Sequence, residues 1–74
     1  MKVNLSEIEK VKEFVNLASK QNCDLDLVSG RHVIDAKSIM GVFSLDLSKP
    51  IDFVIHLDGE EKSKVEKVFE AFRA

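Results

Sequence analysis

The sequence predicts an α+β fold, an open-faced sandwich in which a single sheet carries its helices on one side. Three observations predict it. Two long segments repeat apolar residues at steps of three and four, and each is apolar on one side only. Four short segments read as strands, two of them joined by a tight turn. The resulting order is β-α-β-β-α-β-α, and two helices with one apolar side each must cover the same face of the sheet.

The elements follow in chain order. "MKVNL" alternates, with Met1, Val3 and Leu5 on one side and Lys2 and Asn4 on the other. "SEIEKVKEFVNLASKQN" carries Ile8, Val11, Val15 and Ala18 at helical spacing, widened by Phe14 and Leu17. Ser6 followed by Glu9 has the spacing of a capping box, which predicts that the helix starts at Ser6. "CDLDLVSGRHVIDA" reads as a hairpin turning at Ser29-Gly30, with Leu25 and Leu27 opposed to Asp24 and Asp26. "SIMGVFSL" is a short helix, and "IDFVIHL" after Pro50 is a fourth strand with Phe53, Ile55 and Leu57 on one face. "GEEKSKVEKVFEAFRA" closes the chain as a helix with Val65, Val68, Phe69 and Phe72 in its stripe. Glu60 and Glu61 stand in its first turn, where the helix dipole favours them. The expected core is Val3, Leu5, Ile8, Val11, Val15, Leu25, Leu27, Phe53, Ile55, Val65, Val68 and Phe69. The other sheet face, with Lys2, Asn4, Asp24, Asp26, Val54 and His56, is expected to be wet.

Composition narrows the function classes. Seventy-four residues make one domain over 1–74, too small for a deep water-excluding catalytic pocket. A formal net charge of −2 argues against a nucleic-acid partner, which needs a basic face. No apolar run reaches membrane-spanning length and the N-terminus has no signal-peptide core, so no membrane insertion is expected. The lone Cys23 excludes an internal disulfide framework and suits a reducing, cytoplasmic compartment. It has no CxxC partner and is taken as structural. No second ligand stands at a metal-like spacing from His32 or His56, so no metal and no cofactor are expected. No nucleophile–base pair or paired acids are visible either, and the chain is not read as an enzyme.

Residues Ala18 to Gly59, "ASKQNCDLDLVSGRHVIDAKSIMGVFSLDLSKPIDFVIHLDG", resemble the histidine-containing phosphocarrier protein (HPr) family of the sugar phosphotransferase system. The most specific part is "KSIMGVFSL", Lys37 to Leu45, which is similar to the serine-site helix of Gram-positive members. The resemblance implies a four-stranded antiparallel sheet covered by three helices on one face. It also implies protein partners of the phosphotransferase and catabolite-control type: enzyme I, HPr kinase and the catabolite control protein. A bacterial, cytoplasmic protein acting in sugar transport follows from the same resemblance, and a single chain is the expected state.

One part departs from the family. Its phosphate-carrying histidine lies after the first strand and is followed by Ala-Arg-Pro. Counted back without gaps from Ser38, those positions hold Glu7-Ile8-Glu9-Lys10. Glu7 would repel a phosphate where the family depends on free N–H groups and positive charge. The carrier function is therefore expected to be absent. A relocated carrier site on His32 or His56 is the alternative, though both read as partly exposed strand histidines.

Ser38 invites two compatible readings. Serine is a preferred N-cap residue, and the resemblance implies a regulatory phosphorylation site for HPr kinase, with Lys37 beside it. The helix that follows has too many apolar groups for its size. Val42 and Leu45 are expected inside, leaving Ile39, Met40 and Phe43 as an exposed patch next to Ser38 that suits partner docking. The competing arrangement tucks all five under the loop Asp46 to Pro50.

Overall fold

Strand register fixes the architecture. In the computed structural model, which describes all 74 residues, the elements are β1 (Lys2–Val3), α1 (Ile8–Ser19), β2 (Leu25–Ser29), β3 (His32–Asp35), α2 (Ile39–Phe43), β4 (Ile51–Ile55) and α3 (Gly59–Val68), followed by a 3-10 turn over Glu70–Phe72. The sheet order is β1-β4-β2-β3 and every neighbouring pair is antiparallel. The fold is the expected open-faced α+β sandwich with three helices and a four-stranded sheet.

The β2–β3 hairpin turns one residue later than the sequence suggested. Ser29 pairs with His32, so Gly30 and Arg31 form the two-residue loop. Gly30 has φ of 60° and no other residue of the loop has positive φ, the pattern of a type II′ turn, which needs glycine first.

Phe53 shows why both long helices lie on one face. Its ring meets Phe14 of α1 at 5.0 Å and Phe69, just beyond α3, at 4.9 Å. Phe14 also meets Phe69 at 5.1 Å and Phe72 at 5.3 Å, so four rings interlock between helices and sheet. Around them are buried Val3, Leu5, Val11, Val15, Ala18, Leu25, Leu27, Ala36, Val42, Leu45, Ile51, Ile55 and Val65. The opposite face is open: Lys2, Asn4, Asp24, Val54 and His56 are exposed and Asp26 half-buried.

Two expected core members are outside. Ile8 is 63% exposed and Val68 43%. The buried residues of α1 are Val11, Phe14, Val15 and Ala18, and at 3.6 residues per turn Ile8 lies roughly 70° off the centre of that stripe. Val68 lies roughly as far from the line through Val65, Phe69 and Phe72.

The last helix also ends early, at Val68. Phe72 dives into the aromatic cluster, and the chain then runs beside β1. Val3 bridges Arg73, the Asn4 N–H donates to the Phe72 carbonyl at 2.7 Å, and the Ala74 N–H donates to the Lys2 carbonyl at 3.0 Å.

Candidate functional site

The site begins where β3 ends. Asp35 turns the chain twice over: its Oδ1 accepts from the Lys37 N–H at 2.9 Å, and its carbonyl accepts from the Ser38 N–H at 3.0 Å. Ser38 is left exposed, in extended backbone, with its Oγ accepting from the Gly41 N–H at 3.2 Å. That is N-cap geometry, and it satisfies one of the free donors that every helix start presents. A Cβ on Gly41 would stand 2.6 Å from Cγ2 of Ile34, so glycine is what lets α2 lie against β3. Ser44 closes the helix, its Oγ donating to the Gly41 carbonyl at 2.5 Å.

Five residues cannot bury apolar groups all round. Val42 is fully buried and Leu45 nearly so, whereas Met40 is 80% exposed and Ile39 and Phe43 about half that. The three do not fold under the Asp46–Pro50 loop. Four of the five phenylalanines interlock in the core, and Phe43 is the one at the surface. Ser38 thus stands directly before an exposed apolar patch. Lys37 faces elsewhere: its ammonium donates to the Gln21 carbonyl at 2.9 Å and lines a cleft with Asp24, Asp26, Asp35 and His56.

The start of α1 differs from expectation. Glu7, not Ser6, is the N-cap, and it makes no side-chain cap bond. The Ser6 N–H donates instead to Oδ1 of Asn4 at 3.0 Å, and Glu9 lies 3.7 Å from Lys12. The capping box does not form: the helix starts one residue later than expected, and the Ser6 N–H that Glu9 would have met is bonded to Asn4. The terminus therefore has unpartnered donors, but Glu7 and Glu9 flank them with negative charge.

The histidines lie on other elements. His32 is exposed on β3. His56 follows β4 on the open face, with Nε2 at 2.8 Å from Oδ2 of Asp26. Neither stands at a helix N-terminus. Cys23 is half-buried and unpaired. No group of three or more His, Cys, Asp or Glu converges in a way that could hold a metal ion. No helix is long and apolar enough to cross a membrane.

Beside the patch, the loop from α2 to β4 is pinned by Asp46. Its carboxylate accepts from the Ser48 hydroxyl at 2.6 Å and from the Ser48 N–H at 3.1 Å. The hydroxyl bond, then the backbone bond, hold this carboxyl below the usual carboxylate range. The residue that sequence reasoning missed is Ile8. Its exposure leaves an apolar side chain open at the surface next to Glu7, and its place at the margin of the α1 stripe was the available signal.

A family model described as the PTS HPr component phosphorylation site matches residues 8–74, starting at the first residue of α1. No curated protein matches the chain. Among solved structures, the fold is similar to Crh, the catabolite repression containing protein of Bacillus subtilis, crystallised as an intertwined dimer with a swapped domain. The two share 25% identity and a TM-score of 0.67, over 96% of this chain and 80% of Crh.

Proposed function

Because this chain belongs to the PTS HPr family, we propose that it is a non-catalytic interaction module of the phosphotransferase and catabolite-control type, without a phosphocarrier histidine and switched at Ser38. The observation that carries this reading is the pairing of an exposed serine with an exposed apolar patch on one short helix. Ile39, Met40 and Phe43 supply desolvable area, with methionine adaptable to more than one partner. The partners proposed are those of the family, HPr kinase, an enzyme I-like protein and a regulator, meeting Ile39, Met40 and Phe43; Lys37, its ammonium held by the Gln21 carbonyl, stands outside that surface. The setting proposed is the bacterial cytoplasm, with one chain as the docking unit.

In the switching step, the Ser38 Oγ attacks the γ-phosphorus of ATP, ADP departs and the hydroxyl proton is released. The product carries close to two negative charges at neutral pH. An ester oxygen can keep the Gly41 N–H bond, so the helix start survives. A partner presenting arginine there is then recruited and one presenting carboxylates is repelled.

Two reactions test this. With phosphoenolpyruvate and enzyme I, no acid-labile phosphate should appear on the protein, since Glu7 and Glu9 stand where the family has histidine and arginine. With ATP and HPr kinase, acid-stable phosphate should appear on Ser38 and be absent from Ser38→Ala. Rapid acid-labile label on His32 or His56 would refute the reading and establish the alternative, an accessory phosphoryl carrier with a relocated site.

A further inference from the structure

The sheet has two edges, and only one is closed. On the β1 side the chain's own residues 72–74 pair with the strand, as described above. The other edge is β3, and its main-chain geometry follows from register. Ser29 pairs with His32 and Leu27 with Ile34, and the Ala36 N–H donates to the Leu25 carbonyl at 2.9 Å. In an antiparallel ladder the bonded residues alternate, so His32, Ile34 and Ala36 direct their main-chain groups at β2. Val33 and Asp35 direct theirs outward. The Asp35 carbonyl is taken by the Ser38 N–H. What remains on the edge is the N–H and carbonyl of Val33 and the N–H of Asp35. Val33 is itself 63% exposed. His32–Asp35 contains no proline, lysine or bulge; it is short, four residues, and its one charged side chain, Asp35, stands at its end.

The segment Arg31-His32-Val33-Ile34-Asp35 is cationic at its start and anionic at its end. Reversed against itself about Val33, it sets Val33 opposite Val33, Ile34 opposite His32 and Asp35 opposite Arg31, twice. We propose that β3 pairs antiparallel with β3 of a second copy, centred on Val33, giving a twofold-symmetric dimer with one continuous sheet. The central valines exchange both of their free main-chain bonds, and an Arg31–Asp35 pair closes each end. Pairing Val33 with Asp35 instead would lose one bond, because the Asp35 carbonyl is occupied. Each copy contributes one four-residue edge, well short of a standard interface, so the association is weak and reversible. It uses other residues than the α2 patch.

Sedimentation equilibrium of the whole chain across a concentration series tests the pairing. The wild-type average mass should climb from one chain toward two as concentration rises. Arg31→Asp and Asp35→Arg should each stay at one chain, because like charges then face each other. An equimolar mixture of the two should associate again, since each substituted position meets the opposite charge. Val33→Pro, which removes an outward N–H, should stay at one chain. Should Asp35→Arg fail to fold, Arg31→Asp and Val33→Pro, both at exposed positions, still decide the matter. A wild-type mass independent of concentration overturns the proposal. Association that persists in both Arg31→Asp and Val33→Pro overturns it as well, and would point to another interface or to segment exchange.

Discussion

Gly41 is fixed by its neighbour rather than by its own backbone. Alanine is the better helix former by about 1 kcal/mol, yet its Cβ would meet Ile34 at 2.6 Å. Gly41→Ala should therefore lower stability by about 1–3 kcal/mol in urea denaturation, as overpacking does. At the cap, Ser38→Ala should cost about 1 kcal/mol, and Ser38→Asp almost nothing because aspartate caps as well as serine. Two carboxyls report on acid. Asp46, bonded by Ser48, and Glu70, bonded by Arg73 at 2.6 Å, both lie below the usual range in the folded chain. Groups depressed in this way stabilise at neutral pH, and the contribution is lost as pH falls from the ordinary carboxylate range through their folded values. The melting temperature of Asp46→Asn and Glu70→Gln should thus change less on acidification than that of the wild type. The Ser38 cap was legible in the sequence because a serine precedes a helix whose third residue is free to donate. Ser6 followed the same rule and failed, because the helix takes Glu7 as its N-cap and leaves Ser6 one residue outside, its N–H bonded to Asn4.

At the scale of single elements, α2 has too little length for its apolar content. Met40→Glu should leave the urea midpoint near the wild-type value, since the side chain is mostly in water, yet abolish capture by an immobilised partner in both serine states. Retention of every wild-type partner would leave Ser38 as a cap alone. Crowding made it legible that α2 and its flank carry more apolar groups than a short helix easily buries. That Val42 and Leu45 are the inner pair, rather than all five lying under the loop, is seen only in the structure. The long helices were legible in kind but not at their margins. Ile8 and Val68 both sit near the boundary of a stripe, where a few degrees of helix orientation decide burial, and sequence spacing does not supply that orientation. Ile8 also stands at the first turn, where α1 has little covering it.

Across the whole molecule, the aromatic cluster ties the helices to the sheet. A domain of this size has roughly 4–11 kcal/mol of stability in all, and truncating a buried phenylalanine costs about 3–5 kcal/mol. Phe14 touches three other rings, so Phe14→Ala should leave the chain largely unfolded at 37 °C, visible as loss of the far-ultraviolet helix signal. Phe14→Leu should remain folded with a lowered melting temperature. The sheet-and-helix layering was legible because each element carried its own period. The course of residues 69–74 was not: the helical spacing of Phe69 and Phe72 continues past Val68, but burial of Phe72 beside Phe14 draws the chain out of the helix and onto β1. That late turn has a consequence for synthesis. Residue 74 bonds to residue 2, and the ring cluster needs Phe69 and Phe72, so a chain still emerging from the ribosome holds β1 without one of its two neighbours. β1 therefore gains its second neighbour only once residues 69–74 are free to fold, and a nascent chain stopped at Val68 should be more protease-sensitive than one extended through residue 74.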